Sequence, residues 1–384
     1  MIPRKVSVAI VGGGYHGLSL AFNLADRGVR DVLVLDAGYF QGGASGRNGA
    51  LVRGGFSSVE WTRFFGHSLN LWIGLSRKLG HNVMFTRRGY AIVAETDRSA
   101  AMIERALKVH AAEGLRSVGL DRAGVRRVLP AIDADRVKAA IHFDNGGTAP
   151  HHAAMKAYLA ACRERGVTVR YGTPVTAIER TGGRASAVWA DGQRIDADAV
   201  AVAAGAHNPD VARLAGVELD GAGMRIEAIT VAPMRRTIDP GIALVDRATY
   251  LHQTGRGEIV GGCEIAGEKP RMSLASDMPV MAHTARHLAT MFPSLGAARV
   301  LRQWAGQVHV SSDFGPLLGP HRDLRDLWIS AGWLYGVAGA PASGDLMAKA
   351  IVTGVIDDRM APFAVDRRRR NRPIVEESTV NLEH

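Results

Sequence analysis

The stretch VSVAIVGGGYHG, residues 6–17, decides the fold of this chain. A short apolar run typical of a buried strand leads directly into a glycine turn, and an amphipathic helical pattern follows over 18–27. A second apolar run, 32–35, ends on Asp36. Strand, glycine turn, helix, strand and acid in this order predict a βαβ unit that binds a dinucleotide.

Each glycine of this turn has a separate mechanical role. Gly12 permits the tight turn, Gly14 lets a pyrophosphate approach the backbone, and Gly17 allows close packing of helix and strand. The helix start then offers free N–H groups and the positive end of a dipole. Asp36 is placed to accept hydrogen bonds from the hydroxyls of an unphosphorylated ribose, as in FAD or NAD. The turn alone leaves these two open, and glycines that serve packing only are the structural alternative.

The composition is that of a globular protein, and the length of the chain predicts about two domains. It has 384 residues, of which 47% are hydrophobic and 22% charged, as in ordinary globular domains. We found no apolar run of membrane-spanning length. The first residues lead directly into a strand, so we expect no signal peptide and a cytoplasmic protein. Cys162 and Cys263 lie far apart, which predicts small buried side chains rather than a disulfide or a metal site.

The chain carries a net charge of +10, from 47 basic and 37 acidic residues. The densest basic run, 366–372, has no aromatic residues interleaved, so we expect no nucleic-acid site. We interpret 366–384 as a solvated polar tail that ends in the remnant of an expression tag at 382–384. Alternatively, the basic surface attracts an acidic partner subunit or an anionic substrate.

The rest of the chain alternates dinucleotide-binding elements with pieces of another kind. A second glycine-rich loop covers 41–49, and a helix over 59–79 carries an aromatic stripe at core spacing. Alternation of apolar and polar residues over 225–263 predicts an antiparallel sheet. A buried strand over 199–204 and a final helix over 344–355 complete the pattern. Such interleaving argues against a nicotinamide-dependent dehydrogenase whose cofactor domain forms one piece.

Taken in order, these segments resemble the D-amino-acid oxidase superfamily of FAD-dependent oxidoreductases, and most closely the β subunit of heterotetrameric sarcosine oxidase. The likeness covers nearly the whole chain. It rests on 12–17 with Asp36, 45–48, 51–53, 83–89, 146–149, 203–206, 302–306, 315–320, 331–333 and 341–344.

The resemblance implies an α/β fold in which a Rossmann-like FAD-binding domain is interleaved with an α+β substrate domain built on an antiparallel sheet. The FAD-binding domain is expected over 1–82, 145–218 and 312–365, and the substrate domain over 83–144 and 219–311. FAD is expected to bind noncovalently, in an extended conformation. The expected cofactor-binding residues are Gly12, Gly14, Tyr15, His16, Gly17, Asp36, Ala37, Ser45, Gly46, Arg47, Asn48, Gly49, Ala50, Val175, Ala204, Gly205, Trp304, Gly306, Gly332, Gly336, Val337 and Ala338.

The implied reaction is oxidation of a C–N bond in an amino acid or amine to an imine, by hydride transfer to the flavin. Arg53 matches the position that anchors the substrate carboxylate in relatives, and a guanidinium suits that bidentate role. Tyr250 is expected to face the flavin and close over the substrate, and His309 to lie near the ring. The alternatives are a structural salt bridge for Arg53 and wall or core packing for Tyr250 and His309.

The sequence departs from the sarcosine-oxidising pattern in its C-terminal glycine loop, 335–341. Relatives carry a lysine there, and this chain has none. We therefore expect a substrate other than sarcosine: a bulkier or cyclic N-substituted amino acid, an opine, or an amine without a carboxylate. The missing lysine also disfavours oxygen as the acceptor and leaves a second flavin, a quinone or a partner protein.

A second cofactor is implied by the resemblance at one position. In the β subunit of sarcosine oxidase a histidine shortly after a Gly-x-Ala motif carries covalent FMN, and His151 aligns with it. Here Pro150 replaces the basic residue usually beside it, and a histidine at a helix start also serves capping. With FMN at His151, the chain would be the flavin subunit of a hetero-oligomeric oxidase that is active only with partner subunits.

Overall fold

The computed structural model describes residues 2–264 and 271–379. Within these residues two large sheets, one small sheet and the covering helices form the molecule. The strands are β1 (Lys5–Val11), β2 (Val32–Asp36), β3 (Leu51–Val52), β4 (Thr86–Arg87), β5 (Tyr90–Ala94), β6 (Val118–Leu120), β7 (Ala139–Phe143), β8 (Gly147–Thr148), β9 (Thr168–Tyr171), β10 (Val175–Thr181), β11 (Arg184–Ala190), β12 (Gln193–Val202), β13 (Ala222–Val231), β14 (Gly241–Leu244), β15 (Thr249–Gln253), β16 (Ile259–Cys263), β17 (Val300–Val310), β18 (Leu317–Pro320) and β19 (Leu327–Ala331). The helices are α1 (Tyr15–Asp26), α2 (Val59–Leu79), α3 (Asp97–Ala112), α4 (Arg122–Val128), α5 (His151–Glu164), α6 (Asn208–Arg213), α7 (Met278–Met291) and α8 (Gly336–Thr353).

The first large sheet has β1 at its centre. Its order is β10–β11–β12–β1–β2–β9, with β19 paired to β12 and β18 to β19. β1 runs parallel to β12 and β2, and Ile10 lies opposite Ala201 and Val34. Ile10 packs into the core under α1 and α8, whereas Ala9 and Val11 pack into the core on the other face. Burial of both faces explains the continuous apolar run of this strand.

The second large sheet has the order β17–β13–β16–β15–β14–β5–β7–β6. Neighbouring strands are antiparallel except β5 and β14, which run parallel. A parallel pair needs a long connection, and here the segment between β5 and β14 includes the strands β9 to β12 of the first sheet. Apart from this pair, the sheet is the antiparallel one predicted, and the α/β class with an α+β second part is confirmed.

The two large sheets draw on separate parts of the chain. Strands of the first lie in 5–36, 168–202 and 317–331, and strands of the second in 90–143 and 222–310. In the small sheet, β8 pairs with β3 and with β4. β3 and β8 come from segments predicted as FAD-binding domain, and β4 comes from a segment predicted as substrate domain. Sheet membership is therefore compatible with the interleaved domains proposed from the sequence, whose boundaries stay a prediction.

Helices α2 and α8 pack together beneath the first sheet. The predicted stripe on α2 is core, since Trp61, Phe65 and Trp72 are almost completely buried. The final helix begins at Gly336, not near 344 as predicted, so the expected glycine loop is helical and contains Pro341. Proline has no N–H, which leaves the carbonyl of Val337 unpaired in the helix. The indole Nε1 of Trp72 donates to that carbonyl at 3.1 Å and so satisfies it.

The prediction of a solvated C-terminal tail is wrong for several residues. Arg367 is 2% exposed and forms an ion pair with the buried Asp313. Glu376 is 6% exposed and accepts hydrogen bonds from the backbone N–H groups of Ser57 and Ser58. Buried charged groups require such partners, and these partners come from distant segments that the local sequence does not reveal.

Both cysteines are free and buried, as predicted. Among the described helices we found none with the length and apolarity needed to span a membrane.

Candidate functional site

A large cavity runs from the carboxyl end of β1 to the second sheet. It has an empty volume of about 1880 Å³, open mouth included. Its wall combines the glycine turn after β1, the loop 39–50, the start of α8 and side chains of β13, β15 and β17. The cavity therefore suits an extended ligand with room for a second, smaller one.

The glycine turn forms one end of the cavity with no space for side chains. A Cβ on Gly12 would lie 2.2 Å from the carbonyl oxygen of Ala203, and the φ of Gly12 is +115°. A Cβ on Gly17 would lie 1.8 Å from the carbonyl oxygen of Gly12. The start of α1 is thereby held against β1, with its N-terminal N–H groups and dipole at the cavity wall.

Asp36 ties the end of β2 to this turn. One carboxylate oxygen accepts from the Gly13 N–H at 2.7 Å, and the other accepts from the Gly38 N–H at 2.8 Å. Asp36 still lines the cavity, and each carboxylate oxygen has a second lone pair. Its predicted contact with a ribose is therefore sterically available and stays a prediction.

The second glycine-rich loop folds over the start of α1. The Ser45 hydroxyl accepts from the Tyr15 N–H at 3.0 Å, which satisfies one of the free helix donors. The Trp304 indole donates to the carbonyl of Arg47 at 2.8 Å. A Cβ on Gly49 would lie 2.5 Å from the ring of Tyr250. These contacts fix the loop against α1 and the second sheet.

His16 and the start of α8 form the floor beside the turn. The His16 ring stacks on Trp333 with centroids 4.1 Å apart, and its Nδ1 is 2.7 Å from the Ser343 hydroxyl. Burial lowers the pKa of His16 to about 3, so the ring is neutral at pH 7. Gly336 begins α8 at this point, and the helix directs the positive end of its dipole to the cavity.

Arg53 lies at the other end of the cavity, almost fully buried at 2% exposure. Its guanidinium lies over the rings of Phe56 and Tyr335, 4.0 and 4.8 Å from their centroids. Nη2 donates to the carbonyl oxygen of Ser378 at 3.1 Å. Nε and Nη1 have no hydrogen-bond partner among the described residues. The salt bridge considered as the structural alternative is not formed within the described chain, and a buried cation with free donors favours an anionic ligand.

The other two predicted catalytic residues, Tyr250 and His309, differ in whether their polar atoms are available to a ligand. Tyr250 is half-buried in the cavity wall, and burial, with the nearby Glu264 carboxylate, raises the pKa of its phenol. His309 is fixed by the backbone: Nδ1 accepts from the Gly332 N–H at 3.1 Å, so Nε2 carries the proton and donates to the Asp220 carbonyl at 3.0 Å. This favours the packing role for His309 and leaves Tyr250 available to a ligand.

Glu264, at the end of the strand β16, was not identified from the sequence. It lines the cavity, and burial raises the pKa of its carboxyl to about 7. The only sequence signal is an acid directly after a buried strand. The sequence also gave no sign that Tyr90, Tyr335 and Ser378 line the cavity. Tyr90 lies on a buried strand, Tyr335 in a segment predicted as a loop, and Ser378 in the segment predicted as a solvated tail.

Most of the predicted site residues meet in this one cavity. Those in its wall are Gly12, Gly14, Tyr15, His16, Asp36, Ser45, Arg47, Asn48, Gly49, Ala50, Arg53, Ala204, Gly205, Tyr250, Gly306, His309, Gly336, Val337 and Ala338. Those outside the wall are Gly17, Ala37, Gly46, Val175, Trp304 and Gly332. Gly17 and Trp304 act on the site through the turn and the loop that they support.

One group of potential metal ligands occurs in the described part of the chain. Donor atoms of Cys263, His283 and His287 lie within 4.8 Å of one another. The Cys263 thiol already contacts the Thr284 hydroxyl at 3.0 Å, and His287 Nδ1 lies 3.2 Å from the Arg247 carbonyl. Hydrogen bonds therefore account for Cys263 and His287 without an ion.

The cavity fits FAD on its own geometry. Side chains are sterically excluded at the turn where a pyrophosphate would bind, the adjacent helix start offers N–H groups, and Asp36 lines the cavity beside that turn. The cavity continues past the loop 39–50 to a buried, unpaired guanidinium. A dinucleotide and a small anion therefore fit in one continuous space.

Comparisons with known proteins agree with this geometry. The family model described as FAD dependent oxidoreductase matches residues 7–350. Sarcosine oxidase subunit beta from Rhizobium meliloti (strain 1021) is 30% identical over 94% of this chain and 88% of that protein. The 4-methylaminobutanoate oxidase (formaldehyde-forming) of Paenarthrobacter nicotinovorans is 26% identical over 92% of this chain and 44% of that longer protein. The crystal structure of L-proline dehydrogenase from P. horikoshii superposes with a TM-score of 0.90 at 24% identity, covering 97% of this chain and all of that one.

Proposed function

Because this chain belongs to the family of FAD-dependent oxidoreductases, in its amine- and amino-acid-oxidising branch, we propose that it oxidises the C–N bond of an N-substituted amino acid whose carboxylate binds Arg53. One observation carries the proposal. A single cavity connects the dinucleotide turn at Gly12 to the Arg53 guanidinium, two of whose nitrogens have no partner among the described residues.

The substrate class follows from the charges and from the relatives. Sarcosine, 4-methylaminobutanoate and proline, named in the relatives, are all carboxylates with a secondary amine. The described cavity wall contains no lysine, so Arg53 is its candidate anchor for the carboxylate. This supports a bulkier or cyclic secondary amino acid as the substrate, rather than sarcosine or an amine without a carboxylate.

The residues of the chain divide the work in a defined way. Bound FAD supplies the acceptor for the two electrons and the hydrogen that leave the substrate as a hydride equivalent. The turn at Gly12–Gly14 and the start of α1 would hold the pyrophosphate of the cofactor. Arg53 orients the substrate by a bidentate contact with its carboxylate. The phenols of Tyr90 and Tyr335 pack beside the guanidinium and keep water from that end of the cavity.

Anaerobic reduction of the flavin tests this function. We expect L-proline, a larger N-alkyl glycine or an opine to bleach the flavin absorbance of the purified protein. Pyrrolidine, which has the ring amine of proline but no carboxylate, should fail. Bleaching by none of the amino acids, or equal bleaching by pyrrolidine and proline, would contradict the proposal.

A role as the flavin subunit of a larger oxidase is the second candidate. It is supported by the relatives named as sarcosine oxidase subunit beta. The strand β17 lies at the edge of its sheet and exposes Val300 and Leu301, and such edges can pair with another chain. Size-exclusion chromatography of the protein isolated from its native cells tests this: a mass of one chain would contradict it.

Covalent FMN at His151 belongs to the same candidate. His151 begins α5 outside the cavity wall, and burial, together with His152, lowers the pKa of its imidazole. A neutral imidazole suits covalent attachment of a flavin. After acid precipitation, FMN on a peptide containing His151 would support the two-flavin subunit, whereas flavin released entirely as FAD would leave a single-flavin enzyme.

The cytoplasmic location stays a prediction.

A further inference from the structure

Two opposite charges lie at the substrate end of the cavity without pairing to each other. Arg53 has free donors at Nε and Nη1. Glu264 lines the same cavity, and the upward shift of its carboxyl pKa has burial as its single cause. Within the described residues, therefore, no cation or hydrogen-bond donor offsets the burial of Glu264.

The other acidic residues of the wall are already engaged. Asp36 accepts from two backbone N–H groups at the dinucleotide end. Glu227 forms an ion pair with Arg225 at 2.9 Å and accepts from the Gln303 amide at 2.6 Å. Glu264 is half-buried and is thus the one acid of the described wall without a partner among the described residues. A carboxylate withdrawn from bulk water is costly unless a partner or a ligand supplies a cation.

Tyr335 shows that the two charges act on the same part of the cavity. Burial raises the pKa of its phenol, the Arg53 guanidinium opposes that shift, and the Glu264 carboxylate adds to it. Glu264 acts in the same direction on Tyr250 and on the thiol of Cys263. Among the described residues, the Glu264 carboxylate therefore acts electrostatically on the titratable groups of Tyr250, Tyr335 and Cys263. An α-amino acid likewise carries two opposite charges close together, because its ammonium and carboxylate groups are bonded to the same carbon.

We propose that Glu264 binds the substrate ammonium while Arg53 holds the carboxylate, and that its carboxylate then takes one proton from the nitrogen. This assignment rests on the proposed function and deepens it, because it names the substrate as a zwitterion. In the proton transfer one N–H bond breaks and one O–H bond forms on Glu264. The product is a neutral amine whose lone pair can form the C=N bond as hydride leaves the α-carbon.

The test compares two ligands of one shape on the FAD-loaded protein without oxygen. L-Proline carries a ring ammonium, and L-tetrahydrofuran-2-carboxylate carries a ring oxygen in its place. The dissociation constant of proline comes from the dependence of the flavin reduction rate on proline concentration, and that of the oxygen analogue from perturbation of the oxidised flavin spectrum. The variants are Glu264→Gln, Glu264→Asp and Arg53→Lys, and retained FAD and an unchanged unfolding temperature verify that each is folded.

Glu264→Gln is expected to weaken the binding of L-proline by about 10- to 100-fold, the range for a hydrogen bond to a charged group, and it should not weaken the binding of the anionic oxygen analogue. Glu264→Asp should restore part of the affinity for L-proline, and Arg53→Lys should weaken both ligands. The wild-type protein should also bind the anionic analogue less tightly as the pH rises through about 7, where the Glu264 carboxyl ionises, and Glu264→Gln should abolish this dependence.

The opposite results separate this assignment from the proposed function. If L-proline reduces the flavin but Glu264→Gln changes neither ligand, or weakens both equally, the role of Glu264 is wrong and the function stands. If the oxygen analogue binds but no amino acid reduces the flavin, the function itself is wrong, and this assignment falls with it. Binding of neither ligand to the wild-type protein would overturn the assignment of the two charges as an amino-acid site.

Discussion

Arg53 Nη2 donates a hydrogen bond to the carbonyl oxygen of Ser378, 325 positions later in the chain, at 3.1 Å. The C-terminal segment 376–379 thereby reaches the wall of the cavity, close to the cation proposed to bind the substrate. A backbone carbonyl satisfies one guanidinium donor without neutralising its charge. The remaining donors stay free for a carboxylate.

Replacing Arg53 by lysine should weaken substrate binding and leave FAD bound. A lysine keeps the charge but loses the bidentate fork, so we expect the dissociation constant of a reducing amino acid to rise about 10- to 100-fold. The dependence of the anaerobic flavin reduction rate on amino-acid concentration measures it. The exposed Arg88, replaced in the same way, is the control, and an unchanged constant in Arg53→Lys would show that the carboxylate binds elsewhere.

Glu376→Ala should release the C-terminal segment. Its carboxylate accepts from the N–H and hydroxyl groups of both Ser57 and Ser58, and unsatisfied buried donors cost about 1–3 kcal/mol. We expect the free energy of unfolding to fall by that amount in denaturant titrations. Glu377→Ala removes only an exposed ion pair with Arg105 and should cost less than ~1 kcal/mol. Equal effects of the two variants would mean that the segment is not anchored by Glu376.

Arg367 is expected to be structural, although it lies in the densest basic run. It pairs with Asp313 and donates to the carbonyls of Pro316 and Gly315 at 2.7 and 2.8 Å. Arg367→Ala leaves the buried carboxylate unpaired, which typically costs ~3–5 kcal/mol. The exposed neighbour Arg368, replaced by alanine, should change stability by under ~0.5 kcal/mol. Thermal unfolding of both variants decides between a buried pair and a solvated tail.

Gly17→Ala should prevent FAD binding. The added methyl group would lie 1.8 Å from the carbonyl oxygen of Gly12, so α1 must move away from β1 and distort the turn. We expect a purified variant with little flavin absorbance, whereas Gly66→Ala, which meets nothing within 4 Å on α2, should retain one flavin per chain. Full FAD content in Gly17→Ala would contradict the placement of the pyrophosphate at this turn.

Asp345 should make stability depend on pH. Burial alone would raise its carboxyl pKa, but hydrogen bonds from His67 and Arg27 and the charges of Arg27 and Lys78 hold it well below its usual range. A lowered native pKa stabilises the fold above the unfolded value of about 3.8, and this contribution is lost as the pH falls. Asp345→Asn should therefore cost about 1–3 kcal/mol at pH 7 and progressively less below pH 4. Chemical denaturation across this range measures it; a constant difference would rule out the ionic origin.

The dinucleotide turn, the aromatic stripe of α2 and the antiparallel second sheet could all be predicted because each depends on residues close in sequence. Glycine spacing, 3.6-residue periodicity and strand alternation are local signals. The start of α8 was missed for a different reason: Pro341 argues against a helix there. Only the contact between the Trp72 indole and the Val337 carbonyl, 265 positions apart, makes the proline acceptable.

The sequence by itself determined the class of fold and predicted the dinucleotide-binding turn, since these are carried by residue types in a fixed local order, whereas Arg53 became a candidate anchor through the family resemblance. Only the tertiary structure decided that His309 is held by the backbone on both ring nitrogens, that Glu264 lines the cavity without a partner among the described residues, and that the segment 376–379 packs against Arg53. The physical reason is that hydrogen-bond satisfaction and burial are properties of groups brought together from distant parts of the chain, and no local pattern encodes them.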